Sequence, residues 1–158
     1  MKKERDRHLS LPLDFENVFS KGELPKCDLV TSIRNHLDVI LTTYSGECYH
    51  DSTYGCMLWS EDFRLQGDHT TIRGGKDERD NTKRTNVLIR NELLESVKKF
   101  EKRLRNVRVS VRVNRGSTKI KDGVKRSLKV EISGVINANG KEFVHSRVLY
   151  FSPIMANK

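Results

Sequence analysis

The sequence predicts an α+β fold, with two main helices packed on one face of a small, mostly antiparallel three-stranded sheet. Three observations predict it. Apolar residues recur with the helical period in two separate stretches, around residues 28–43 and 86–100. Strict alternation replaces that period after Leu104, and again near residues 128–133 and 143–151. An Asn-Gly pair, Asn139-Gly140, sits between the last two alternating stretches, which marks a hairpin. With 158 residues the chain is expected to form a single domain over residues 28–158, preceded by an arm over residues 1–27.

The arm is polar and mixed in charge, with one apolar patch, Leu11-Pro12-Leu13-Asp14-Phe15. It is expected to pack through Leu11, Leu13 and Phe15, or to be a docking segment ordered on a partner. The first helix begins behind Asp28, a good N-cap, and carries Leu29, Ile33, Leu37, Ile40 and Leu41 on one face. Arg34, Asn35 and Asp38 take the other face, and His36 reads as a surface or flanking residue. Gly46 is a plausible breaker after this helix. The aromatic loop that follows is expected to fold back on the core through Tyr54, Met57, Leu58 and Trp59. Residues 64–85 read as a charged loop.

The second helix carries Ile89, Leu93, Leu94, Val97 and Phe100 on one stripe. It runs through a joint, Phe100-Glu101-Lys102-Arg103-Leu104, into a strand in which Val107, Val109, Val111 and Val113 alternate with polar residues. Helix and strand then share a core, and the joint sets their angle. Polar residues fixed there either cap the helix, pair locally or face a partner. Residues 114–127 read as a basic linker before the second strand, Leu128 to Ser133. The third strand ends Val148-Leu149-Tyr150-Phe151, apolar on both faces, so that end is expected to be covered on both sides or to meet a partner.

The net charge of +9 is concentrated in one region. Residues 98–129 hold 13 Lys/Arg against two acids, and the rest of the chain holds 17 against 19. Such a face suits nucleic acid, an acidic protein surface or an anionic membrane, or is a solvated sheet face. A basic nucleic-acid-binding module is therefore one alternative. Against it, the basic stretch has Phe100 as its sole aromatic residue, and the helical pattern buries that ring. No apolar run is long enough for a membrane span, and the charged start leads into no apolar signal segment. Cys27, Cys48 and Cys56 form no close pair, which fits a reducing, cytoplasmic setting.

Catalytic patterns are scarce. There is no nucleophile elbow, zinc-protease helix or phosphate loop; Gly74-Gly75-Lys76 lacks the spacing and the hydroxyl residue of the last of these. Cys48, His50 and Cys56 are three soft ligands without the close cysteine pair and fourth ligand of structural zinc. Glu47 and Asp51 share a loop and form the one conceivable acid/base pair of a glycosidase. His145 lies in a strand and suits packing better than catalysis. No enzyme, metal or cofactor is expected.

Several short motifs occur in a fixed succession: Ser32-Ile33 and Ile40-Leu41-Thr42-Thr43, then Gly46-Glu47, then Tyr54-Gly55-Cys56-Met57-Leu58, then the helix ending Phe100-Glu101-Lys102-Arg103-Leu104 and the valine strand. This succession, over roughly residues 28–151, resembles the phage-baseplate wedge family, which includes the TssE-like baseplate subunits of type VI secretion systems. The family's joint reads Glu-Pro-Arg; Glu101 and Arg103 match it and Lys102 stands in place of the proline. Without that proline the joint is less pre-set, so partner contacts are expected to order it. The resemblance implies a sheath-domain-like fold and a structural role. It implies TssF-like and TssG-like wedge subunits and contractile sheath subunits as partners, with sheath polymerisation started on a sheath-like sheet edge. The partner-binding residues it implies are Phe100, Glu101, Lys102, Arg103, Gly46, Glu47, Tyr54 and Gly55. Charge reversal of Arg103 is then expected to abolish wedge binding and leave the fold intact.

Overall fold

The computed structural model describes residues 8–13, 15–22, 24–59, 77–115 and 126–151. Its elements are β1 (His8–Leu9), α1 (Phe15–Lys21), β2 (Lys26–Cys27), α2 (Leu29–Thr42), a single 3-10 turn (Met57–Trp59), α3 (Asp77–Phe100), β3 (Leu104–Arg115), β4 (Arg126–Ile136) and β5 (Glu142–Phe151). The expected α+β architecture is present, with an additional short helix and a two-stranded pairing near the N-terminus.

Helix α2 starts and stops where local chemistry dictates. The Asp28 carboxylate accepts from the Thr31 backbone N–H and from Thr31 Oγ1, both at 3.0 Å. These bonds, the backbone one foremost, hold its carboxyl below the ordinary range. At the far end Thr43 turns extended while its N–H still reaches the Val39 carbonyl at 2.9 Å. Helix α3 starts nine residues earlier than its apolar stripe suggests. Residues 77–85, read above as loop, continue the helix N-terminally. That segment has no apolar stripe to display a period. It is rich in charged helix formers and opens with Asp77 and Glu78, where negative charge suits the dipole.

The strand order is β3-β4-β5, antiparallel throughout, with β4 in the centre. Leu104, Val109, Leu128, Val130, Ile132, Ile136, Phe143 and Leu149 point inward and are buried. They meet Ile33, Leu37, Ile40 and Leu41 of α2, Ile89, Leu93 and Val97 of α3, and Cys56 and Leu58 of the connecting loop. A second tie between α2 and the sheet is ionic: Asp38 receives His145 Nε2 at 2.9 Å and Arg147 Nη1 at 3.4 Å. The opposite face carries polar residues of β3 and β4 and, on β5, the exposed Val144, Val148 and Tyr150.

β3 contains a bulge. Leu104 and Val107 both turn inward, which needs one extra residue between them, and the register shifts between Arg105 and Arg108. Asn106 supplies it with φ 53°, a conformation Asn tolerates better than most residues. Gly134 lies opposite; a Cβ there would meet the Arg105 carbonyl oxygen at 3.0 Å. The β4–β5 turn is the expected one, with Gly140 at φ +67° and its N–H on the Ile136 carbonyl at 2.9 Å.

Three packing expectations change. Within the arm, Leu11 and Phe15 are exposed and Leu13 is half-buried. The arm is instead tied by β1–β2 pairing and by Ser10 N–H on the Pro25 carbonyl at 2.8 Å. In the connecting loop Leu58 is buried with Cys56, whereas Met57 is exposed. On β5, Leu149 faces the core but Val148 and Tyr150 stand open on the far face, because no second layer covers it among the described residues. The expectations for residues 60–76 and 116–125, and for the side chains of Trp59, Val113 and Phe151, lie outside the described residues.

Cys56 is 1% exposed and its Sγ lies 3.6 Å from the Leu41 carbonyl. Burial pushes its thiol up to about 11. A native protein treated with a thiol reagent at pH 8 is expected to modify Cys48 and leave Cys56 intact until denaturant is added. Mass spectrometry of the labelled peptides checks this; rapid native labelling of Cys56 would contradict its place in the core.

Candidate functional site

The joint after α3 gathers charge in an otherwise apolar setting. Glu101 is 1% exposed, the one charged residue buried to that degree among the described residues. The chain places it there because the last turn of α3 ends against α2, with Val97 and Leu104 holding either side in the core. Its Oε1 accepts from the Arg103 backbone N–H at 3.0 Å and from Arg103 Nε at 2.8 Å. Its Oε2 accepts from Arg103 Nη2 at 2.5 Å and pairs with His36 Nδ1 at 2.8 Å. Arg103 Nη1 continues to Ser32 Oγ at 2.9 Å.

Burial by itself would raise the Glu101 carboxyl. The hydrogen bonds from Arg103 and His36 and the Arg103 charge outweigh it and hold the group at about 2. The carboxylate is therefore ionised and can only accept, so His36 Nδ1 carries the proton of that bond. The same pairing raises the Arg103 guanidinium further.

Aromatic rings close the site on its loop side. Tyr54 stacks on His36 with centroids 6.1 Å apart and meets Phe100 edge-on at 4.9 Å. Lys99 Nζ sits 4.9 Å over the Phe100 ring and donates to Thr53 Oγ1 at 2.5 Å. From the sheet side, Asn137 donates its N–H to the Arg103 carbonyl at 2.8 Å and Nδ2 to the Lys102 carbonyl at 2.7 Å. Two helices, one loop and the β4–β5 turn thus converge on five residues.

Of the residues singled out from the sequence, Phe100, Glu101, Arg103 and Tyr54 come together here. Lys102 is exposed, with its Nζ on the Lys98 carbonyl at 2.9 Å. Gly46 and Glu47 belong to the near end of the same loop, where Glu47 Oε2 accepts the Tyr44 N–H at 3.0 Å and the Glu47 N–H donates to the Tyr44 carbonyl at 3.0 Å. Gly55, at φ +101°, brings Cys56 N–H onto the Thr43 carbonyl at 3.0 Å and so closes the loop. Sequence reasoning missed Ser32, His36 and Asn137. Ser32 and His36 are four apart on one helix face beside the buried stripe, and that spacing was the available sign of a polar clasp.

Two expectations are corrected. The joint is tied from within, by bonds to Glu101 and Asn137, where partner contacts were expected to order it. Charge reversal of Arg103 is now expected to cost fold stability as well, since it would set a second carboxylate against the buried Glu101.

The arrangement does not resemble an acid/base centre. Asp51 accepts Thr53 Oγ1 at 2.5 Å and the Thr53 N–H at 2.9 Å, and these bonds lower its carboxyl. A general acid needs the opposite shift. Glu47 is exposed and engaged with the Tyr44 backbone. Among the described residues no group of three or more His, Cys, Asp or Glu is placed to hold a metal ion, and no helix is long and apolar enough to cross a membrane.

No family model matches the chain, and no curated protein matches it. The solved structures similar to it include two with the following likeness. One is a protein described as a tail lysozyme from Geobacter sulfurreducens, 20% identical, covering 77% of this chain and 90% of that one with a TM-score of 0.44. The other belongs to the baseplate complex of the type VI secretion system, 14% identical, covering 74% of this chain and 88% of that one with a TM-score of 0.46. The chain resembles the TssE-like baseplate subunits in its motifs.

Proposed function

We propose that this protein is a structural, non-catalytic subunit of the baseplate of a contractile injection machine. It joins TssF-like and TssG-like wedge subunits and offers a sheet edge to sheath subunits. The observation that carries this reading is the joint itself. Glu101 and Arg103, the residues that match the family motif, form a rigid internal cross-tie rather than a reactive centre. That cross-tie fixes what the joint shows to the outside: Lys102, the one-third exposed side of Arg103, and the rim of Tyr54. In this reading Lys102 and Arg103 meet the wedge partner, Glu101 holds Arg103 in position, and the loop from Gly46 and Glu47 to Tyr54 and Gly55 flanks the contact. The edge strands β3 and β5, unpaired on their outer sides among the described residues, suit main-chain pairing with an extended arm.

Co-expression with the TssF-like and TssG-like subunits, followed by affinity purification in high salt, tests the reading. A defined complex is expected. Lys102→Glu is the clean variant, because Lys102 is exposed and the bond its side chain makes, to the Lys98 carbonyl, is a surface contact. It should lower recovery of the complex several-fold with an unchanged melting temperature. Full recovery with Lys102→Glu would remove the joint from the contact. Recovery of the chain with nucleic acid alone would replace the reading by a nucleic-acid module.

A further inference from the structure

The two helices cover one face of the sheet, and the other face has an uneven chemistry. The strand register lines up its outward residues in rows across β3, β4 and β5: Arg108–Ser133–Val144, Ser110–Glu131–Ser146 and Arg112–Lys129–Val148, with Ser127–Tyr150 beyond. Arg108, Arg112 and Lys129 are exposed, and their side chains make no ion pair or hydrogen bond among the described residues. Arg112 and Lys129 stand directly opposite each other, an unfavourable like-charge pair on an isolated sheet. The β5 side of the same face is apolar, with Val144 55%, Val148 41% and Tyr150 73% exposed. A face with unpaired cations along one side and uncovered apolar groups along the other is complementary to a partner that is acidic and amphipathic.

We infer that this face receives an acidic amphipathic helix of a protein partner, laid along the strands as a third layer. The dimensions agree. Three strands span about 10 Å between the outer two, which is the width of one helix. From Val144 to Tyr150 the strand rises about 20 Å, which a helix covers in about 13 residues. The apolar stripe of such a helix would cover Val144, Val148 and Tyr150. Its carboxylates, one to two turns apart, would reach Arg108, Arg112 and Lys129 and relieve the repulsion between the last two. Nucleic acid fits less well, because phosphates would leave the two valines uncovered and would meet Glu131 in the middle of the face. The inference stands on this face alone and is independent of the role given to the joint.

The test uses the full chain and three probes: a designed 14-residue helical peptide with leucines on one face and glutamates on the other, the same peptide with lysines for the glutamates, and a 20-base-pair DNA duplex. Amide shifts are followed by NMR during titration. The Glu/Leu peptide is expected to saturate with Kd below about 100 μM and to shift residues of the three rows. The double variant Arg112→Glu/Lys129→Glu should weaken it at least tenfold, and Val148→Ser should weaken it several-fold. Both variants change exposed side chains, and an unchanged amide spectrum without probe shows that they fold. Tighter binding of the lysine peptide or of the duplex would overturn the inference. So would shifts confined to the exposed Phe15 and Phe19 of α1, or no saturation by the Glu/Leu peptide.

Discussion

Gly55→Ala is expected to destabilise the protein by roughly 3 kcal/mol or more, while Gly46→Ala in the same loop removes about 1 kcal/mol. Both glycines have left-handed backbones, φ +101° and +103°, so both substitutions carry conformational strain. They differ in space. A Cβ at Gly46 meets nothing closer than a Tyr44 ring carbon at 3.9 Å. A Cβ at Gly55 would stand 2.4 Å from the Thr43 carbonyl oxygen and 2.9 Å from its carbon. That carbonyl is the acceptor for Cys56 N–H, and the neighbouring Ser45 N–H bonds back to the Cys56 carbonyl at 3.2 Å. Moving it breaks the parallel bridge between Tyr44 and Cys56 and lifts Cys56 and Leu58 out of the core. Denaturant melts of the two variants side by side separate the steric part from the strain. Equal losses would mean that the loop yields without involving the core.

The second large effect belongs to Glu101. Arg103→Ala leaves a buried carboxylate with His36 as its remaining side-chain donor, and should cost about 3–5 kcal/mol at neutral pH. Glu101→Gln keeps the shape but turns an amide N–H toward Arg103 or His36, and should cost on the order of 3 kcal/mol. The pH dependence identifies the group. The folded Glu101 carboxyl, at about 2, lies below the ordinary 4.5 of the unfolded chain. Between those values the unfolded state binds the extra proton, so stability is fully present above about pH 4.5 and falls as pH drops toward 2. The depression corresponds to about 3 kcal/mol across that window. Urea melts between pH 2 and 6 should show this slope in the native protein and a flatter one in Glu101→Gln. Identical slopes would show that other carboxylates carry the acid sensitivity.

The local grammar was legible because each element announced itself in its own neighbours. Asp28 before an apolar stripe specifies the start of α2, and the stripe itself names Ile33, Leu37, Ile40 and Leu41 as core. Alternation of valines specifies β3, and Asn139-Gly140 specifies the hairpin between β4 and β5. These features depend on side chains within a turn or two of one another, so a linear reading captures them. The bulge was not legible in this way: that Leu104 and Val107 both turn inward, with Asn106 as the extra residue, is decided by the pairing of β3 with β4. Where a segment had no apolar period, as in the first nine residues of α3, the reading failed because the helix there is specified by propensity and charge rather than by burial.

What the sequence alone determined is therefore the α+β class, the order of the main elements, the core residues and the identity of the joint, because all of these follow from short-range periodicity and turn chemistry. Tertiary structure decided which way the joint faces. Glu101 and Arg103 read equally well as a partner contact or as a local pair; only the approach of α2 within hydrogen-bond distance, bringing Ser32 and His36 from some 70 residues away, turns the carboxylate inward. It also decided which face of the sheet is bare. Alternation marks two faces on every strand, but pairing registers and helix placement determine that Val144, Val148 and Tyr150 share the open one with Arg108, Arg112 and Lys129. Burial and exposure of a polar group are properties of what packs against it, and that partner lies far away in the chain.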